Sequence, residues 1–211
     1  MDLSEIRSEY QQKTLEKKSV DTNPLRQLEI WLNEAKAAQC SEYTAMTIAT
    51  TGENMQPSIR VVLLKYLKDD GLYFFTNYES RKGKDLEFNK KIAAHFFWPE
   101  LERQVKIEGT AIKAPAEISD FYFQSRPHES RLSAVVSKQS SEIEDRQSLE
   151  KLWKEASQKW EGKTIERPGN WGGYVIKPSR MEFWQGRPFR LHDRIAYKKS
   201  IDGWWLKRLA P

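Results

Sequence analysis

The chain has 211 residues, of which 38% are hydrophobic, and this length and composition suit one compact domain better than two. The formal net charge is +5, and both signs of charge are interspersed along the chain, which argues against a disordered basic tail. The positive excess favours an anionic ligand such as a phosphate, a nucleic acid or an acidic membrane surface. No apolar run reaches the length of a membrane span, and the lone Cys40 with the polar start MDLSEIRSEY predicts a cytoplasmic protein.

A metal site is not expected from the residues that usually provide ligands. His95, His128 and His192 are too far apart in sequence to form a ligand pair on adjacent helical turns. Cys40 has no second cysteine with which to form a metal-binding pair or a disulfide.

The first 20 residues differ in pattern from the rest of the chain. They are polar and only weakly periodic, with Leu3, Ile6 and Tyr10 as the apolar positions. This pattern predicts a frayed helix or a mobile arm, followed by a single domain at residues 21–211.

The first clear helix begins at Asn23 and Pro24, as N-cap and first-turn residues. Its apolar stripe consists of Leu25, Leu28, Trp31, Leu32 and Ala35. From Thr44 to Ala114 the pattern predicts strands, in segments separated by turn signals: TAMTIAT, SIRVVLLKYL, GLYFFTN, KIAAHFFW and ERQVKIEGTAI. One short helix, from Ser80 to about Asn89, interrupts these strands.

Helices return at Pro115, and a longer helix is predicted from about Ser141 to Trp160. One face of this longer helix carries Leu149, Leu152, Trp153, Ala156 and Trp160, and its tryptophans are expected in the core. The last third predicts the strands GGYVIKP, RMEFWQG, DRIAYKK and GWWLKRLAP, with Asp202 and Gly203 in a hairpin turn. Many short strands with a few helices predict a mainly β protein, a small closed barrel with helices packed outside it.

Two cations interrupt the otherwise apolar strand SIRVVLLKYL. Arg60 and Lys65 are five positions apart, and an odd offset places them on opposite faces of a regular strand. They are therefore expected to contact different ligands unless a bulge intervenes. The alternative is that both are solvent-exposed cations at a strand edge.

The segment TNYESRKGKD places cations where a helix disfavours them. Ser80 suits an N-cap, and Arg81, Lys82 and Lys84 follow in the first turn, where the helix dipole is unfavourable for positive charge. A bound anion would remove the conflict, so the segment predicts a phosphate site at the helix N-terminus. A solvated basic turn is the alternative.

The segment FYFQSRPHESR provides a second cluster of polar groups. Tyr122 and Arg126 are four residues apart and share a helix face just before Pro127, and Ser130 follows. These groups could hold a second phosphate, although a tyrosine packed on an arginine stem is the ordinary structural alternative.

Two later segments are ambiguous when taken alone. In SKQSSE, Gln139 and Ser140 could simply cap the next helix. The segment EFWQGRPFRLHDR concentrates Trp184, Arg187, Arg190, His192 and Arg194, but by itself it predicts two strands joined by a turn with its charges outward.

Together these segments resemble the pyridoxine/pyridoxamine 5′-phosphate oxidase family, the flavin enzymes that make pyridoxal phosphate. The resemblance runs from about Asn23 to the C-terminus through ordered motifs: RVVLLK, FFTNYESRKG, LERQV, QSRPHES, VSKQSS, NWGGY, EFWQG, RLHDR and RLAP. It implies an FMN-binding split β-barrel of Greek-key type. It also implies a homodimer with one FMN at each of two sites between the subunits.

The resemblance also implies roles for individual residues. The implied FMN contacts are Arg60, Val61, Val62, Leu63, Leu64, Lys65, Phe75, Thr76, Arg81, Lys82, Gln104, Gln139, Ser140, Trp184 and Arg194. The implied contacts of the substrate phosphate are Lys65, Tyr122, Arg126 and Ser130, whereas Arg190 and His192 would lie over the pyridine ring as the catalytic pair.

The implied activity is FMN-dependent oxidation of pyridoxamine and pyridoxine 5′-phosphate to pyridoxal 5′-phosphate in vitamin B6 metabolism. O₂ would be the acceptor and hydrogen peroxide a product, with ammonia released from the amine. A split-barrel FMN reductase and a non-catalytic pyridoxal phosphate binder stay open as alternatives. RNA binding is disfavoured because the tryptophans follow apolar periodicity and the charges are mixed.

Overall fold

The computed structural model describes residues 1–5 and 9–211, so Ile6 of the predicted arm lies outside the described residues. The strands are β1 (Ala45–Thr51), β2 (Pro57–Leu63), β3 (Tyr66–Lys68), β4 (Gly71–Asn77), β5 (Lys91–Trp98), β6 (Arg103–Lys113), β7 (Trp171–Gln185), β8 (Asp193–Ser200) and β9 (Gly203–Leu209). The α-helices are α1 (Pro24–Ala37), α2 (Arg81–Phe88), α3 (Ala116–Ser125), α4 (His128–Val136) and α5 (Arg146–Trp160). None of these helices is long and apolar enough to cross a bilayer, in the part of the chain that the structure describes.

The strands form one antiparallel sheet in the order β2-β1-β5-β6-β7-β4-β3, with β8 on β7 and β9 on β8. The segments predicted as two strands, GGYVIKP and RMEFWQG, are one 15-residue strand, β7. Its first half pairs with β4 and its second half with β8, while β6 pairs along its other edge. A register shift between Glu108 and Gly109 marks the point where the sheet divides. The predicted mainly β barrel with flanking helices is confirmed.

The barrel core is closed on one side by α1. Asn23 caps this helix by accepting a hydrogen bond from the amide of Leu25 at 2.9 Å, which confirms the predicted start. Leu28 and Trp31 are buried, and the Trp31 ring meets Phe183 of β7 edge-on at 5.0 Å. Burial of each such side chain stabilises the fold by roughly 1.5–3 kcal/mol.

The apolar stripe of α5 does not lie in the main core. The helix is capped by Asp145 rather than beginning near Ser141, and every one of its residues is at least partly exposed. Trp160 is half-buried against a small separate cluster beside α4, but Trp153 is 38% exposed. The prediction of core tryptophans is therefore wrong for Trp153, because α5 packs against α4 instead of the barrel.

Part of the predicted N-terminal arm lies against the barrel. The side chain of Leu15 is buried, and its amide donates a hydrogen bond to Asp193 at 3.0 Å. The amides of Gln11 and Gln12 both donate to the carboxylate of Glu102. The mobility of residues 1–20 stays a prediction.

Candidate active site

A cavity of about 510 Å³ lies beside β2, β4 and α2 to α4. Its lining includes these residues singled out from the sequence: Arg60, Val61, Val62, Leu63, Lys65, Phe75, Thr76, Lys82, Tyr122, Arg126 and Gln139. The volume is in the range of cofactor and small-molecule sites. The structure thus brings together residues from four separate motifs.

The sequence predicted Arg60 and Lys65 on opposite faces of one regular strand, but the structure does not have them on one strand. The strand β2 ends at Leu63, and β3 begins only at Tyr66. At the break the backbone partner changes, because the amide of Leu64 donates to Thr44 and that of Lys65 donates to Tyr73 of β4. Arg60 and Lys65 both line the cavity. Leu64, between the two strands, turns into the hydrophobic core and is not part of the lining given by the described residues.

One end of the cavity is formed by the N-terminus of α2. Ser80 caps the helix, as predicted, and accepts a hydrogen bond from the amide of Gly83. Arg81 is exposed, whereas Lys82 is buried and directs its Nζ to Thr76 Oγ1 at 3.0 Å and Gln139 Oε1 at 3.2 Å.

These partners of Lys82 are neutral, and its environment disfavours a charged ammonium. Burial, and then the positive charge of Arg60, lower the pKa of Lys82 to about 8. A buried cation with neutral partners at a helix N-terminus is suited to an anion, since both the charge and the helix dipole attract it.

The other end of the cavity is formed by aromatic rings and Arg126. The ring of Tyr122 stacks on Phe75 at 4.0 Å, and the Arg126 guanidinium lies 4.8 Å from the centre of the Trp171 ring. Arg126 follows the last residue of α3, and its Nη1 is buried without a hydrogen-bond partner among the described residues. Burial lowers the pKa of Arg126. An unsatisfied buried donor is costly, so this end also fits an anion.

A second group of predicted residues lies on the outer face of the sheet. Gln104, Trp184 and Arg194 are direct cross-strand neighbours on β6, β7 and β8, and we call them the outer row. Arg194 holds Glu182 with two hydrogen bonds, at 2.9 and 3.1 Å. Burial opposes ionisation of Glu182, but Arg194 and neighbouring cations outweigh it and lower the pKa of the carboxyl.

The loop after β7 brings His192 next to the outer row. Its ring centre lies 4.6 Å from that of Trp184, and its Nδ1 accepts a hydrogen bond from the amide of Arg187 at 3.1 Å. Burial, and then the charge of Arg190, lower the pKa of His192. Because Nδ1 accepts a hydrogen bond from an amide, the neutral form of the ring carries its proton on Nε2, which can donate a hydrogen bond. Phe189 and Arg190 both have left-handed backbones, with φ of 57° and 60°, a strained arrangement of the kind found at functional sites.

Comparison with known proteins places this geometry in a family. A model described as "Pyridoxamine 5'-phosphate oxidase" matches residues 32–184, and one described as "Pyridoxine 5'-phosphate oxidase C-terminal dimerisation region" matches residues 171–211. The chain belongs to the pyridoxine/pyridoxamine 5′-phosphate oxidase family. Relatives with that name include a Haemophilus influenzae protein, 50% identical over the full length of both chains. Another, from Leptospira biflexa, is 44% identical over 100% of this chain and 99% of its own.

Solved structures share the fold of this chain. PhzG from Burkholderia lata, solved in complex with tetrahydrophenazine-1-carboxylic acid, has a TM-score of 0.89 and 28% identity over 94% of this chain and 98% of its own. An FMN-binding protein from Nostoc punctiforme has a TM-score of 0.71 at 15% identity, over 89% and 98% of the two chains, and supports the fold alone.

Not all residues suggested by the family resemblance meet in one cavity. The cavity lining given by the described residues does not include Arg81, Gln104, Ser130, Ser140, Trp184, Arg190, His192 or Arg194. The sequence did not single out several contributors, which are Asn77, Ser133, Ala134, Ser137 and Trp171 of the cavity lining and Tyr10 beside the outer row. Trp171 was part of the quoted motif NWGGY, but nothing in that motif indicated a contact with Arg126. Tyr10 was assigned only to the arm, yet its ring lies 5.6 Å from both Trp184 and His192.

Proposed function

We propose that the chain oxidises pyridoxamine 5′-phosphate and pyridoxine 5′-phosphate to pyridoxal 5′-phosphate, with FMN as cofactor and O₂ as acceptor. Hydrogen peroxide is a product, and ammonia is released from the amine. The observation that carries this proposal is one cavity with two anion-binding ends, at Lys82 and at Arg126. A phosphorylated cofactor and a phosphorylated substrate together require two such ends.

The FMN phosphate binds at the N-terminus of α2. Arg60, Arg81 and Lys82 supply positive charge there, and the backbone amides of the first helical turn point toward the same region. Thr76, Gln139 and Ser140 add neutral hydrogen-bonding groups. The remaining cavity residues of β2, together with Phe75, line the same cavity as Lys82 and Arg126.

The substrate phosphate binds at the other end. Arg126 offers its Nη1, which has no partner among the described residues, and Tyr122 and Lys65 line the same cavity. Ser130 lies in α4, two residues after the helix begins, and completes the set by a hydroxyl group. Holding the phosphate places the reacting carbon at the flavin, so binding energy far from the reaction lowers the barrier.

The FMN site is completed across a homodimer interface, with the outer row of one subunit covering the cavity of the other. The edge strand β2 exposes Ile59 and Val61, at 71% and 63%, and Phe97 beside Gln104 is 53% exposed. Exposed apolar side chains on a sheet edge call for cover by a partner. The match of residues 171–211 to a dimerisation region supports the homodimer.

The chemistry that bound FMN supplies is acceptance of a hydride from the substrate C4′ carbon, with reoxidation by O₂. Arg190 positions the pyridine ring and stabilises charge that develops at C4′. It does not act as a general base, because its guanidinium stays protonated. His192 orients the substrate by donating from Nε2, because its Nδ1 already accepts from the amide of Arg187.

The test is the visible spectrum of the purified protein under anaerobic conditions. Pyridoxamine 5′-phosphate should bleach the flavin bands, and admission of air should restore them. Unphosphorylated pyridoxamine is the matched control and should bleach them far more slowly, because it cannot engage Arg126. A protein that cannot be reconstituted with FMN would contradict both the assigned cofactor and the oxidation that depends on it. If the phosphorylated amine does not change the flavin bands, the FMN site is retained but the assigned substrate is wrong. The cytoplasmic location stays a prediction.

A further inference from the structure

Arg60 is held from behind by Thr50 and Asp85, which the sequence did not single out as site residues. Its Nη1 donates a hydrogen bond to Thr50 Oγ1 at 2.6 Å, and the Thr50 hydroxyl donates to Asp85 Oδ2, also at 2.6 Å. Arg60 Nη2 lies 3.7 Å from the same carboxylate oxygen and donates to Ser58 Oγ at 2.8 Å. These contacts join β1, β2 and α2.

The geometry leaves the guanidinium of Arg60 little freedom. The Thr50 hydroxyl has one proton, which it gives to Asp85, so its oxygen is free to accept from Arg60. Thr50 is 1% exposed and Asp85 9% exposed, so water does not compete for these bonds. Both terminal nitrogens of Arg60 therefore have fixed partners, while the side chain still lines the cavity.

The charges around Arg60 are matched to a phosphate dianion. Arg60, Arg81 and Lys82 repel one another: Arg81 disfavours the charged form of Arg60, and Arg60 that of Lys82. The Asp85 carboxylate lies 3.7 Å from Arg60 and favours the charged form of this arginine. The cations outnumber the carboxylate here, and this excess of positive charge attracts the dianion of a phosphate monoester.

We infer that Thr50 and Asp85 are positioning residues for the FMN phosphate, and that they act through Arg60. This inference rests on the proposed function, which places that phosphate at the start of α2. Gly52 has a supporting role, because a Cβ at this position would lie 2.6 Å from Asp85 Oδ1. The absence of a side chain there leaves room for the carboxylate to reach Thr50.

Four substitutions that leave the net charge unchanged test the inference. Thr50→Val removes the linking hydroxyl, and Thr50→Ser retains it. Gly52→Ala displaces the Asp85 carboxylate, whereas Gly169→Ala is its control, since a Cβ at Gly169 meets nothing within 4 Å. The measurement is the dissociation constant of FMN and of riboflavin for each apoprotein, from quenching of flavin fluorescence.

We expect Thr50→Val and Gly52→Ala to weaken FMN binding roughly ten-fold, which is about the effect of one misplaced hydrogen bond to a charged group. Riboflavin binding and both control variants should stay within about two-fold of the wild type. Riboflavin has no phosphate, so a purely structural role would weaken both flavins equally.

Equal weakening of FMN and riboflavin, or unchanged FMN binding in both test variants, would overturn the inference. If Thr50→Val does not fold, Gly52→Ala decides alone, because its clash is confined to the end of one side chain. A wild-type apoprotein that binds riboflavin and FMN equally would show that no phosphate site exists at Arg60. A wild type that binds neither flavin would refute the proposed function itself.

Discussion

Raising the pH should release FMN through the deprotonation of Lys82. The pKa of Lys82 is about 8 in the protein without a bound anion, against an ordinary value of 10.5. A phosphate dianion beside the Nζ favours the ammonium and returns the pKa toward its ordinary value. FMN binding is then coupled to proton uptake above pH 8. With these two values, the dissociation constant of FMN should rise about 25-fold between pH 7 and pH 9.5.

The assay is a fluorescence titration of the apoprotein with FMN at a series of pH values and constant ionic strength. Riboflavin should show no such rise, because it has no phosphate to pair with Lys82. The matched variant is Lys82→Arg, whose guanidinium stays charged throughout this range and should remove the slope. A dissociation constant of FMN that is flat from pH 7 to 9.5, or an equal slope with riboflavin, would refute the coupling between Lys82 and the phosphate.

Three further outcomes follow from the contacts of the cavity and the outer row. Arg126→Ala should lower kcat/KM for pyridoxamine 5′-phosphate roughly ten- to hundred-fold and should also lower kcat. An unchanged kcat at saturating substrate would show that phosphate binding energy is not used in turnover. Gly173→Ala should lower the free energy of unfolding in urea by about 1–3 kcal/mol, because its Cβ would lie 2.8 Å from the Phe75 ring. An unchanged midpoint of the urea unfolding curve would show that the ring can move away. The pKa of Glu182 lies below its unfolded value of 4.5, so its ion pair with Arg194 stabilises the fold above that pH and is lost as the pH falls through the folded pKa. Glu182→Gln should therefore flatten the acid side of the stability curve, and an unchanged slope from pH 6 to 3 would oppose this explanation.

Signals between residues close in sequence predicted most of the fold. Asn23 and Ser80 cap the helices that their sequences indicated, because a cap and its amide are at most three residues apart. The break after Leu63 was not predictable in this way. The segment SIRVVLLKYL has β propensity throughout, whereas β2 ends where its partner strand begins, with Ala45 opposite Leu63. The predicted opposition of Arg60 and Lys65 failed for this reason.

Long-range packing decided the remaining differences. An apolar helical stripe shows that a helix packs on something, but it does not show which surface covers it, and so Trp153 was assigned to the core. The sequence pointed to Lys82 as a cation that needs an anion, and the family resemblance pointed to Arg60 as a cofactor contact. It could not show that Thr50 and Asp85 support Arg60, because three different elements provide these groups.

The separation of the cavity from the outer row has a genetic consequence. In the proposed dimer, a Lys82 variant damages the cavity that its chain provides, and an Arg194 variant damages the row that its chain provides. A mixed dimer of the two collects both defects in one site and leaves the other site wild type. Random pairing of equal amounts should restore about a quarter of all sites. Two alleles that are each inactive alone would therefore complement each other within one cell.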